Sequence, residues 1–291
     1  MSRYTRFRPR LRSRHPSHSV LRPVHKNLPL LPFKSVIRFG SSTEMRDTHS
    51  LGGNRVEINT VASIKNSANK LKMKKCFDTG DVCTPSWFTY DESYLIPESF
   101  YNEVEDIHVD LENLPYPIIS KHIFGSRGTG NRKHDTAESL SDWLHGKTLS
   151  NYIFERFHNY VREYRLHVSE DGCFYTCRKM LKRDTPEEAR WYRNDDHCVW
   201  ILEDNESFDK PSNWVDIVEH SVRALKSVGL DVGAVDVKVQ SATKQDGEVR
   251  ETPEFIIIEI NSAPSFGELT AQKYIEVLPT LLTNKHERIN G

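Results

Sequence analysis

The sequence reads as an α+β protein, with strands paired through hairpins and separated by isolated helices rather than assembled into one parallel sheet. Three observations carry that reading. An Asp171-Gly172 dipeptide sits between two alternating segments, the signature of a hairpin turn. Trp214, Ile217, Val218, Ser221, Leu225 and Val228 form one helical stripe over 212–228, with Gly229 as its stop. Two hydrophobic strands, 233–239 and 255–261, flank a polar connection at 244–248 suited to a protruding hairpin. With 291 residues, 37% hydrophobic and 10% aromatic, the chain can bury a real core, which excludes a disordered protein.

The remaining elements follow in order. Residues 36–40 make a short strand closed by Gly40, and 47–54 is a loop around Gly52-Gly53. Asn66 or Ser67 caps a helix running to about Phe77, with Gly80 as its stop and Pro85 beyond. Residues 117–124 form a buried strand that runs into a glycine-rich loop, 125–130. Asp135 and Glu138 have capping-box spacing for a helix bearing Leu140, Trp143 and Leu144 and ending at Gly146. A strand over 152–157 precedes the hairpin, and a last helix covers 268–282, with Pro279 placed to kink it. No internal repeat is present.

Forty Lys and Arg against 41 Asp and Glu leave a net charge of −1, so the whole-chain field favours neither nucleic acid nor membrane. The balance is uneven. Ten basic residues and no acid lie in residues 1–38, while 30 basic and 41 acidic residues follow, a body of −11. Residues 1–35 carry five prolines and no periodicity, and read as an extended, disordered basic tail. Three roles stay open for it: a targeting peptide, which the prolines oppose, an arm touching nucleic acid or an acidic partner, and a solvated extension. No segment reaches the length of a membrane span. Five cysteines without a secretory segment indicate a reducing, cytoplasmic setting with free thiols. Cys173 and Cys177, four apart in a strand, are expected on one face as packed or surface thiols.

Three groups of residues carry chemistry. Glu259 and Asn261 share one face of a strand whose Ile256, Ile258 and Ile260 take the other, and Asp236 lies in the adjacent strand. Two carboxylates and an amide oxygen are a hard donor set of the kind Mg²⁺ accepts; a solvated strand end is the plainer alternative. Lys121 precedes the loop Gly125, Ser126, Arg127, Gly128, Thr129, Gly130, whose backbone could approach an anion, although the spacing is not that of a P-loop. If Asp171 and Gly172 are the two loop residues of the hairpin, Arg165 and Arg178 become direct cross-strand neighbours. Such like charges make sense facing a polyanion, with Glu163 beside them, or neutralised by a carboxylate such as Glu155. The 13 histidines lack zincin spacing, and His122 and His167 are read as packing residues.

In this order the features resemble the ATP-grasp superfamily, and most closely its RimK-like carboxylate–amine ligases, over about residues 66–282. Asn69-Lys70-Leu71-Lys72-Met73-Lys74 followed by Val82-Cys83-Thr84-Pro85 is similar to the opening helix whose lysine touches nucleotide phosphate, a role that falls to Lys70. The resemblance gives Lys121 the second nucleotide lysine, 125–130 the phosphate-covering loop, Glu155-Arg156-Phe157 the hinge that pairs with adenine, and Glu163 the ribose contact. It places Arg178 near the transferred phosphate, Arg193 in a segment closing over the reaction centre, and Asp236, Glu259 and Asn261 as ligands of Mg²⁺ (or Mn²⁺). Asn261-Ser262-Ala263-Pro264-Ser265 is a near form of the family's ending, with Ser265 where glycine is usual.

The implied organisation is a tail (1–35), a reduced N-terminal region (36–115), a lid subdomain (116–157) and a C-terminal subdomain (158–291). The implied reaction activates a carboxylate with ATP as an acyl phosphate, which an amine or thiol then displaces. A kinase on the same scaffold, and a nucleotide-gated binding protein whose tail contacts nucleic acid, are the alternatives. The Ile-Arg-Phe-Gly-Ser opening also resembles small bacteriophage proteins of this type, which would place it in a host cytoplasm. Neither oligomeric state nor substrates are readable.

Overall fold

Segments with helical and strand periodicity sort into three sheets in the computed structural model, which describes residues 18–21, 35–42, 56–89, 111–125, 128, 130–192, 197–265 and 267–290. The first sheet is parallel, in the order β1 (His18–Leu21), β2 (Ser35–Arg38), β3 (Val56–Ile58). Its β1 lies inside the expected disordered tail, which corrects that reading. A four-residue strand is too short to leave a periodic signature in sequence. The expected loop at 47–54 lies outside the described residues.

Two short helices follow where one was expected. Thr60 caps α1 (Val61–Ala68), and extended Asn69 breaks the helix before α2 (Lys70–Thr79), its side chain accepting from Lys72 N. Asn66 and Ser67 are therefore interior residues and not caps. The break lets Lys70 N donate to Ile123 O, and Gly80 ends α2 as expected.

The second sheet is antiparallel, ordered β4 (Trp87–Thr89), β7 (Tyr152–Arg156), β5 (Ile118–His122), β6 (Arg132–His134). Helix α3 (Ala137–Leu144) covers it, burying Leu140 with Phe88, Leu114, Ile118 and Phe154. Its cap is Thr136, one residue after the expected Asp135, because Thr136 is the extended residue whose hydroxyl reaches Ser139 N.

The third sheet runs β10 (Cys198–Leu202), β9 (Gly172–Leu181), β8 (Arg162–Ser169), β11 (Val232–Val239), β12 (Phe255–Asn261), with every neighbouring pair antiparallel. Helix α4 (Trp214–Val228) seals one face against Tyr164, Leu166, Val168, Val235, Val237, Ile257 and Ile260, and Gly229 closes it in the left-handed conformation. Helix α5 (Glu268–Asn290) packs Tyr274, Ile275, Leu278 and Leu281 onto Ile37, Phe39, Ile58 and Val232. It continues through Pro279, eight residues past the expected end.

Two bulges revise the face assignments. In the hairpin the turn is Glu170-Asp171, Ser169 pairs with Gly172, and Phe174 is the extra residue between the Val168–Cys173 and His167–Tyr175 pairs. Arg165 therefore faces Cys177, and Arg178 faces Tyr164, so the expected Arg165–Arg178 pair does not form. The same bulge separates the two thiols. Cys173 touches Thr176 and the α4 core, whereas Cys177 bonds Thr270 of α5 on the opposite face. In β12 the extra residue is Ile258, so Ile257 and Ile260 fill the core in place of Ile256, Ile258 and Ile260.

Asn59 pins the parallel sheet to the third one. At φ 60° it is fully buried; its Oδ1 accepts from Asp231 N (2.8 Å) and Val232 N (3.1 Å), and its Nδ2 donates to Val232 O (2.9 Å). Removing that amide orphans several buried backbone groups. Asn59→Ala is expected to cost about 2–4 kcal/mol with an unchanged denaturant slope, measured by urea unfolding. A loss below about 0.5 kcal/mol would refute this role.

Candidate active site

One face of the third sheet is lined with charge. Alternation brings Glu163 and Arg165 (β8), Lys179 (β9), Trp200 (β10), Asp236 (β11), and Glu259 and Asn261 (β12) to that face. The Ile258 bulge sets Glu259 directly opposite Asp236. Arg165 holds Asp236 with both Nε (2.7 Å) and Nη2 (2.8 Å), and its guanidinium lies 4.9 Å from the Trp200 ring, which Lys179 also approaches at 5.2 Å. Lys179 is 3.8 Å from Glu163. Asn261 Nδ2 donates to Asp236 (3.3 Å) and to Glu259 (3.2 Å).

Two carboxylates set directly opposite each other, Asp236 buried and Glu259 half-buried, resist joint ionisation. Burial raises the Asp236 carboxyl against the pull of Arg165, and repulsion from Glu259 and Glu163 adds to the rise. Burial opposes ionisation of Glu259 as well, but Lys70, Lys121, the Asn261 N–H and Arg165 together hold it below the ordinary range. The donors of this pair are hard oxygens. Rotating the Asn261 amide by half a turn would exchange its nitrogen for its oxygen. Two carboxylates and one amide oxygen then fit a Mg²⁺ ion that keeps water or phosphate as further ligands. Among the described residues no group of three His, Cys, Asp or Glu side chains could hold a metal, so Asn261 is needed to complete any such set.

The opposing wall comes from α2 and the second sheet. Lys70 Nζ lies 3.8 Å from Glu259 and donates to Gly125 O at the start of the glycine-rich loop. Lys121 and Glu155 are buried together at 2.5 Å, and Lys74 approaches the other Glu155 oxygen at 3.2 Å. Against burial, Lys121 and Lys74 pull the Glu155 carboxyl down to about 2. In the expected hinge, Arg156 N donates to Ser86 O and Phe157 N to Pro117 O, so both N–H groups are engaged within the chain. The Phe157 ring is approached by Lys133 (5.2 Å) and Lys238 (5.6 Å).

The structure therefore assembles Lys70, Lys121, Gly125, Glu163, Arg165, Asp236, Glu259 and Asn261. It does not bring Arg178 to them: beside Tyr164 on the α4 face, Arg178 pairs with Asp209. The cation that β9 presents to the site is Lys179, which the sequence reading missed because it assumed an unbulged hairpin. Trp200 was missed for want of any local signal. Lys74 was missed although it lies one turn from Lys70 on the same helix. Ser126, Arg127, Thr129 and Arg193 lie outside the described residues. His167 is buried against the Tyr274 hydroxyl and lowered to about 3 by burial and by Arg165, so it stays neutral, and His122 Nδ1 accepts from Phe124 N.

No protein-family model matches the sequence, and no curated protein does. Solved structures do match. The D-alanine–D-alanine ligase of Bacillus anthracis superposes with a TM-score of 0.59 at 14% identity, covering 88% of this chain and 81% of its own. The ATP-grasp ligase PsnB, complexed with its minimal precursor, gives 0.59 at 14% identity over 96% and 95%. The D-alanyl-alanine synthetase A of Vibrio cholerae gives 0.56 at 16% identity over 87% and 77%. The chain has the ATP-grasp fold.

Gly128 lies against the ring of Tyr192. Gly128 has φ +72°, and a Cβ there would lie 2.1 Å from the Tyr192 ring. Gly128→Ala should therefore expel the tyrosine and open the loop, read as faster proteolytic cleavage within 122–131, and Tyr192→Ala in the same chain should relieve the steric part. Equal cleavage in wild type and Gly128→Ala would show that the contact does not hold the loop.

Proposed function

We propose that this protein is an ATP-dependent ligase of the RimK-like, ADP-forming type, which activates a carboxylate as an acyl phosphate for attack by an amine or thiol. The observation that carries the reading is the convergence of Lys70, Lys121 and Arg165 on the Asp236–Glu259–Asn261 group, with Lys70 also bonded to Gly125 O. Phosphoryl transfer asks mainly for positioning and neutralisation of charge, and these residues supply both. The superposed structures are ligases, which favours the same class; the bacteriophage-type affiliation, carried by the Ile-Arg-Phe-Gly-Ser opening, belongs to this proposal.

Each residue then has a task. Lys70 and Lys121 bind phosphate oxygens as point charges, and Glu163 receives the ribose hydroxyls. Phe157 lines the base site through its ring, and Arg165, fixed by Asp236 and Trp200, faces the migrating phosphoryl group. Lys179 takes the place expected of Arg178. Mg²⁺ or Mn²⁺ held by Asp236, Glu259 and Asn261 would neutralise the β- and γ-phosphates. The glycine-rich loop and Tyr192 keep water from the acyl phosphate, with Arg193 assigned to the same covering segment.

A screen of amino acids and short peptides for ADP release tests the class. A ligase releases ADP and free phosphate only when both acceptors are present, and recovery of a stable phosphorylated product would mark a kinase instead. Glu259→Gln and Lys121→Ala are each expected to lower ADP formation by roughly 10²–10³-fold or more while circular dichroism is preserved. Lys179→Ala should lower kcat at least about tenfold more than Arg178→Ala does. Near wild-type turnover in Glu259→Gln or Lys121→Ala would overturn the proposal.

A further inference from the structure

Lys74 is the buried charge for which the proposed reaction has no use so far. It is fully buried on α2, and its Nζ contacts Glu155 Oε1 at 3.2 Å and donates to Thr84 Oγ1. Thr84 Oγ1 in turn donates to Ile257 O at 2.8 Å, and Ile257 N donates to Cys83 O at 2.7 Å. A polar chain thus runs from Lys121 on β5, through Glu155 on β7, Lys74 on α2 and Thr84, to β12 two residues before Glu259.

The charge count gives the chain a purpose. Lys121 and Glu155 alone form a neutral pair, and a neutral pair attracts phosphate weakly. Lys74 shares the same carboxylate through its second oxygen, so the trio carries one net positive charge. Hydrogen bonding to Thr84 fixes that charge relative to the strand bearing Glu259. A purely structural lysine could satisfy Glu155 as well, but it would leave phosphate binding unaffected once the protein is folded.

We infer that Lys74 is a positioning residue for the nucleotide phosphates: by sharing Glu155 it leaves Lys121 a positive charge to offer, and through Thr84 it ties that charge to the Glu259 strand. The inference rests on the nucleotide-binding part of the proposed function.

Its pH behaviour has a distinctive sign. Lys74 is faced by Glu155 from β7, Lys121 from β5 and Asp78 from its own helix. Burial, helped by Lys121 and opposed by Glu155 and Asp78, lowers it from 10.5 to about 8. Between those values the unfolded chain holds more protons than the fold, so this group makes the protein more stable as pH rises. Over the same range its loss of charge should weaken phosphate binding.

Calorimetric titration of the full chain with ATP, ADP and adenosine tests this. Lys74→Met is expected to weaken ATP roughly tenfold or more while adenosine binds as in wild type, and Lys74→Arg should retain ATP binding better than Lys74→Met. Wild-type ATP affinity should fall as pH rises through about 8, with adenosine affinity flat and urea stability not falling in parallel. Thr84→Val, which keeps every charge, should weaken ATP less than Lys74→Met, and together with the wild-type pH series it decides the matter if Lys74→Met does not fold. Folded Lys74→Met binding ATP as wild type does, or a wild-type ATP affinity flat from pH 7 to 9.5, would overturn this role alone. Failure of the wild type to bind ATP or ADP would overturn the nucleotide reading itself.

Discussion

Two carboxylates set opposite one another on neighbouring strands, one buried and one half-buried, are the constraint on which the rest of the structure depends. Like charges in direct cross-strand register destabilise a sheet, and removing them from water costs several kcal/mol more unless cations and hydrogen bonds surround them. Asp236 and Glu259 meet that demand from three directions: Arg165 from the adjacent strand, Lys70 from the start of α2, and Lys121 across from the second sheet. Several otherwise unrelated local choices follow from this. The helix break at Asn69 releases Lys70 N to Ile123 O, so Lys70 meets the end of the second sheet through its backbone and Gly125 O and Glu259 through its side chain. The cations that stabilise this pair are also those that would attract a polyanion.

Parity is the second constraint. A strand shows alternate residues to opposite faces, so one extra residue exchanges everything beyond it. The Ile258 bulge lets hydrophobic Ile257 and Ile260 share the core while Glu259 stays opposite Asp236. The Phe174 bulge turns Lys179 to the charged face and Arg178 away from it. In both places a chemically unremarkable residue decides which neighbour takes part in the site.

These bulges also mark how far the sequence could be read. The Asp236, Glu259 and Asn261 grouping was legible because a hydrophobic strand ending in two polar residues on one face is a local pattern. The α4 stripe, its Gly229 stop and the lysine before the glycine-rich loop were legible for the same reason. Arg178 was misplaced because the hairpin register was counted from an ideal two-residue turn, and nothing in Cys173-Phe174-Tyr175 announces an inserted residue. Lys74 and Trp200 depend on partners tens of residues away, which no window of sequence contains. Thr136 replaced Asp135 as a cap because two adjacent residues can both serve, and backbone conformation chooses between them.

The strand His18–Leu21 changes how the basic arm has to be handled. It pairs with Ser35–Arg38 through four successive residues, so the arm and the first sheet share a covalent stretch and a hydrogen-bonded ladder. Cutting the chain before residue 36 to remove the positive charge would also strip β2 of its neighbour, leaving a bare strand edge of the kind that recruits other chains into aggregates. Loss of nucleic-acid binding after such a cut would mix a charge effect with a solubility effect. Neutralising Arg3, Arg6, Arg8, Arg10, Arg12 and Arg14 in place keeps the ladder and isolates the charge.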